Sequence, residues 1–233
     1  MKFQECHSCE CRNLIKNKIL FKQIPAFAGM TASCLEMSKY LFSVILLLVL
    51  ISCGNQAKKI EPKQTRLTGE ESLKYIAKGD FIVKGSSRVL GKHIKEKMSE
   101  GGILEAIKYC NLVAYPLLDS LSKKLNVSIQ RITQKARNLK NKANSSQIKI
   151  LEEFEDISSG GMISPPIVTK SNDKTNFYSP INIKPFCLNC HGGIKTNIGE
   201  DKYKFIKKLY PKDEAVNYAD GDLRGMWVIQ FDD

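Results

Sequence analysis

Apolar residues at Ile103, Ile107, Cys110, Ala114, Leu117 and Leu121 recur four and three apart, which places all six on one stripe of a helix and turns the Cys110 thiol inward. Pro116 falls inside the stripe and predicts a kink or an end to the first half of that helix. Upstream, Thr68 with Glu71 three residues on forms a capping-box pattern ahead of the apolar positions Leu73, Ile76 and Ala77. This opening helix is expected to run in pieces to Ser99, with breaks at Gly79 and Gly85, and Gly101 and Gly102 punctuate the chain before the next element. After Asn126 the period changes. Val127, Ile129 and Ile132 roughly alternate, a short helix is predicted over Gln147–Phe154, and Gly160, Gly161, Pro165 and Pro166 signal turns. Phe177–Ile183 and Gly225–Phe231 read as strands, the second suited to the interior of a sheet. Helices first and strands later predict an α+β domain.

A different pattern stands near the start. The apolar run Tyr40–Ile51 is preceded by Lys39 and followed at once by Ser52, Cys53, Gly54 and Asn55. It is shorter than the roughly 20 residues a membrane-spanning helix needs, and it suits the apolar region of an export signal. Leu50-Ile51-Ser52-Cys53 resembles a bacterial lipobox, in which the cysteine is lipid-modified and becomes the mature N-terminus. An uncleaved N-terminal anchor is the alternative. Either way the remainder faces an extracytoplasmic compartment. Residues 1–36 read as an upstream extension, with Met37 as the expected start and a segment, Ile24–Thr31, that looks translated from an interspersed DNA repeat. Cys6, His7, Cys9 and Cys11 would make only a crowded metal knuckle without a second distant pair. The expected organisation is therefore extension 1–36, lipoprotein signal 37–52, polar tether 53–67 and one folded domain 68–233.

The net charge of +12 among 233 residues is spread along the chain without a compact basic run or an aromatic-interleaved stripe, so nucleic acid is not an expected partner. With Cys53 acylated, the exported part keeps Cys110, Cys187 and Cys190. An odd set of thiols fits two consumed by a cofactor better than a disulfide framework.

Cys187-Leu188-Asn189-Cys190-His191 meets the requirement for covalent attachment of one c-type haem, two thiols for the vinyl groups and an adjacent imidazole for the iron. A zinc site would need a fourth ligand from Cys110 or His93, and a thiol-redox pair would want a thioredoxin-like βαβ pattern that the chain lacks. The second axial ligand decides the chemistry. Cys110, His93 and Met162 are the candidates, each with an ordinary alternative: small buried hydrophobe, solvated histidine and packing methionine respectively.

In order along the chain come Ala106, Ile107 and Cys110 followed by Ala114; Arg131 and the pair Arg137, Asn138; the CLNCHG segment; and Tyr210, Pro211, Asp213, Ala215, Tyr218, Gly221, Asp222, Gly225 and Trp227. In these pieces, spanning Ala106 to Phe231, the chain resembles a family of exported bacterial haem domains with a PAS-like fold, also found as the sensor part of signalling proteins. The resemblance implies N-terminal helices followed by a PAS-like antiparallel sheet carrying one covalent haem, its iron held by His191 and Cys110. The family continues Arg-Asn with proline, whereas Leu139 follows Asn138 here. Arg137, and more weakly Arg131, are candidates to bond a haem propionate.

The expected function is electron transfer or redox or gas sensing by a lipid-anchored haem protein in the cell envelope, acting on an unidentified redox or signalling partner. It is not expected to be an enzyme. The rival, a peroxidase-like haem enzyme, would want a distal histidine, for which His93 is the spare.

Overall fold

The structure, a computed structural model, describes residues 64–171 and 173–232. Cys53, the apolar run before it, and Cys6, His7, Cys9 and Cys11 lie outside the described residues. Strand β1 (Thr65–Arg66) is followed by helix α1 (Gly69–Leu112), α2 (Ala114–Leu125), β2 (Ser128–Ile132), α3 (Ser145–Ser159), β3 (Ile167–Ser171) and β4 (Lys174–Asn182). One turn of helix, α4 (Leu188–His191), and then α5 (Glu200–Leu209) precede the closing strand β5 (Leu223–Asp232). The five strands form one antiparallel sheet in the order β1-β3-β4-β5-β2, so the domain is α+β as expected and β5 is an interior strand.

Alternation along the strands feeds two cores. Ile129, Val168, Phe177, Trp227, Ile229 and Phe231 face Ile82 and Leu90 of α1 and Ala114 and Leu118 of α2. Ile132, Ile167, Tyr178, Met226 and Val228 point the other way, onto Leu151 and Phe154 of α3. Among the described residues no helix is long and apolar enough to cross a membrane.

Several expected boundaries shift for physical reasons. The fold begins before Thr68, because Thr65 and Arg66 pair with Thr169 and Lys170 at the sheet edge, and two polar residues carry no strand pattern. Thr68 does precede α1, but its side chain makes no capping bond. The capping box forms instead at Asn144 and Gln147, which starts α3 earlier than predicted. Gly79 and Gly85 do not break α1. The break falls at Gly101 and Gly102, the latter at φ 68° and ψ −156°, a conformation that favours glycine. It folds the second arm back on the first: the His93 and Tyr109 rings lie 5.7 Å apart, where a straight helix would separate them by about 24 Å. The second helical half ends at Leu112, the residue whose carbonyl a helical Pro116 ring would strike, and Pro116 sits in the first turn of α2, where its missing N–H is no loss. That break moves the buried position from Leu117 to Leu118, leaving Leu117 and Leu121 partly buried against the same core.

Gly79 has a packing role. A Cβ added there would clash with the Phe177 ring, whereas one at Gly85 meets nothing within 4 Å. Gly79→Ala is therefore expected to lower stability by about 1–3 kcal/mol despite alanine's better helix propensity. Gly85→Ala should raise it by about 0.5–1 kcal/mol. Urea unfolding of the two variants checks the opposite signs.

Candidate functional site

The chain between β4 and β5 carries the cysteine motif. Pro185 opens a short 3-10 turn ending at Cys187, and α4 follows directly, so Cys187 and Cys190 stand one helical turn apart on the same side with His191 next to them. Cys110, Cys187 and Cys190 are all free thiols.

The motif is clamped from behind by residues later in the chain. The Tyr218 N–H donates to the His191 carbonyl at 3.0 Å, and the Asn217 N–H to that of Gly192 at 3.0 Å. Arg137 Nη2 donates to the Cys190 carbonyl at 2.7 Å and to the Ala215 carbonyl at 3.1 Å, while its guanidinium pairs with both Asp213 oxygens at 3.2 Å. Asp213 Oδ1 also accepts the Ala215 N–H at 2.9 Å. The Ala215 carbonyl is thus fixed where His191 Nδ1 meets it at 2.9 Å. A carbonyl only accepts, so Nδ1 carries the proton and Nε2 presents its lone pair. Burial, then the cations Arg224 and Arg137, hold the His191 imidazole well below its ordinary value, which keeps it neutral.

Cys110 lies in the last turn of α1, on the arm whose Ile103 and Ile107 pack with Cys190 against Ile206 of α5 and Tyr210 just past its end. Burial pushes the Cys110 thiol up, and Arg131 and Arg137 pull it down. Burial pushes Cys190 up to about 11, with Arg137 opposing and Cys110 and Cys187 reinforcing. Cys110 and Cys187 thus both act electrostatically on Cys190, which His191 follows directly in the motif. Arg131 joins them: its guanidinium carbon lies 5.8 Å from the Trp227 ring centroid, burial and its neighbours Cys110, Tyr115 and Tyr210 set its charge environment, and its Nε is buried without a partner. A buried orphan donor calls for an acceptor.

The other sequence candidates fall elsewhere. His93 is 41% exposed, bonded to Glu96 at 3.1 Å and set against Tyr109. Met162 is 64% exposed beyond the end of α3. Arg137 is placed at the site, but its Nε and Nη2 serve Asp213 and two carbonyls. Asp213, Ala215 and Tyr218 entered the resemblance without roles, and the structure gives them the clamp. Arg224, which faces His191 electrostatically, had no signal in the sequence.

Two outcomes follow. The Asp213 side chain is fully buried and that of Arg137 is 11% exposed. Asp213→Asn, which strands a buried guanidinium, should cost about 3 kcal/mol, and Glu214→Gln, which removes an exposed partner of Lys142, less than about 1 kcal/mol; chemical denaturation compares them. The unfolded chain protonates His191 near 6.5 while the folded chain keeps it neutral, so this contribution is complete above pH 6.5 and is lost as pH falls. The haem-free chain should lose up to about 1.4 kcal/mol per pH unit below that value relative to His191→Gln, read from unfolding at pH 7 and pH 5.

The model of the Tll0287-like family matches residues 16–231. Among solved structures, the cyanobacterial heme-protein Tll0287 is similar at 19% identity, with 71% of this chain and 97% of that chain covered and a TM-score of 0.49. No curated protein matches. By the match over nearly its whole length, the chain belongs to the Tll0287-like family.

Proposed function

We propose that the protein binds one haem covalently through Cys187 and Cys190, with His191 and Cys110 as axial ligands of the iron, and acts in electron transfer or in redox or gas sensing. The observation that carries this reading is the Nδ1–H of His191 donated to Ala215, which leaves Nε2 as a metal-binding lone pair beside two free thiols. The remaining residues fit the same group. Cys110 acts electrostatically on Cys190, and Arg131 opposes the burial that pushes the Cys110 thiol up. The orphaned Arg131 Nε fits an acceptor brought by a ligand. Among the described residues no three His, Cys, Asp or Glu side chains converge as a metal ion held by side chains alone would need.

Haem supplies a one-electron centre and a site for small gases. The chain's own residues would set how that centre behaves: Arg137 and Asp213 hold the loop, Ala215 fixes the imidazole, and Cys110 would supply the second ligand to the iron. On this reading the protein is a carrier or sensor for a separate redox or signalling partner. It is exported and held at the cell envelope by a lipid on Cys53.

Made with a haem-ligation system, the wild type should keep haem through denaturation and acid-organic extraction, and Cys187→Ala/Cys190→Ala should not. Haem extracted freely from the wild type would refute covalent attachment. Cys110→Ala should retain haem, change the spectra and bind carbon monoxide; unchanged spectra in both oxidation states would remove Cys110 as a ligand. A labelled fatty-acid precursor should enter the wild type and not Cys53→Ala.

A further inference from the structure

A cleft of about 460 Å³ opens at the end of the sheet where residues 133–135, α3 and residues 218–225 meet. Three donors line it. Arg224 Nη1 is tied to Thr133 Oγ1 at 2.9 Å and to the Lys135 carbonyl at 3.2 Å, both neutral acceptors. Its Nε–Nη2 edge, which suits bidentate pairing with a carboxylate, has no partner among the described residues. That edge is not sealed, since the buried unpartnered side-chain nitrogen among the described residues belongs to Arg131. Lys135 makes no ion pair among the described residues and lies 5.2 Å from the Tyr218 ring centroid, with Arg224 at 5.5 Å from the same ring. The Tyr218 hydroxyl has no hydrogen-bond partner among the described residues either. Burial holds Arg224 below the ordinary arginine value, and Asp213, a carboxylate that opposes this shift, is committed to Arg137.

We propose that this cleft is a carboxylate-binding site, with the free edge of Arg224 as its fork and Lys135 and the Tyr218 hydroxyl as flanking donors. Glu155, Asp220 and Asp222 also line the cleft, but all three are exposed, none pairs with either cation, and Asp222 accepts the Ala219 N–H at 2.7 Å. These rim charges favour a singly charged carboxylate over a phosphate, which would meet more repulsion. An occupant would touch Tyr218, whose ring meets that of His191 edge-on at 6.4 Å and whose N–H holds the His191 carbonyl. Occupancy is therefore coupled to the histidine; this coupling rests on the haem reading, whereas the binding does not. The carboxylate has two sources, a small organic acid from solution or a propionate of the haem itself, for which Arg137 has its Nε and Nη2 already bonded.

Benzoate titrated calorimetrically into the full chain, made with and without haem, tests the site. Binding by the haem-loaded protein, weakened at least tenfold in Arg224→Gln and in Lys135→Gln, supports a free acid, and the midpoint potential should then shift on adding benzoate. Binding by the haem-free chain alone, weakened in the same variants, supports a propionate in the cleft, and Arg224→Gln should then change the potential of the loaded protein. No binding by either form, or binding unchanged in both variants, overturns the proposal. Lys135 is exposed, so its variant keeps the test decisive should Arg224→Gln fail to fold. If no haem attaches at all, the haem-free titration still decides the cleft.

Discussion

Everything around the motif depends on the ion pair between Arg137 and Asp213. Two charges are taken almost entirely out of water, and the desolvation this costs is offset by one network that joins both Asp213 oxygens, the Cys190 and Ala215 carbonyls and the Ala215 N–H. Such a pair contributes less to net stability than to a unique arrangement. Its product is a carbonyl held in one position, and that carbonyl decides which nitrogen of His191 bears a proton.

The sheet and helices supply the rigidity that the network needs. β4 and β5 run side by side through the middle of the sheet, so the chain between them leaves and returns at one edge of a well-packed layer. The Gly101–Gly102 break turns the second arm of α1 toward that excursion, where Ile103 and Ile107 meet Ile206 and carry Cys110 with them. Without the break, a helix of this length would carry Cys110 about 16 Å past Ser99. Two glycines thus connect a helical stripe to the site it serves.

Periodicity made the main elements legible. The stripe through Cys110, the strand at Gly225–Phe231 and the helix near Gln147 all follow from apolar spacing, and the motif cysteines with His191 follow from covalent chemistry at fixed separation. The misses are equally specific. Gly79 resembled a helix breaker because sequence does not reveal that Phe177 lies against it from a distant strand. Thr68 showed a capping pattern without the bond, and Asn144 with Gln147 made the bond. Arg137 was legible as a site residue, but its partners were not, since Asp213 and Ala215 reach it only through tertiary folding. Arg224 and Lys135 were invisible for the same reason: their meeting over Tyr218 is a property of two chain segments rather than of either.

The clamp also has a direction in time. Asp213, Ala215, Asn217 and Tyr218, which immobilise the motif, all follow it in the chain, as does β5, whose pairing with β4 closes the long excursion. A chain emerging N-terminus first presents Cys187, Cys190 and His191 before any of these groups has emerged to hold them. Closing a loop of this length also carries an entropic cost that slows the last docking step. Until β5 docks the motif lacks the groups that hold it, and the same closure that completes the sheet supplies them.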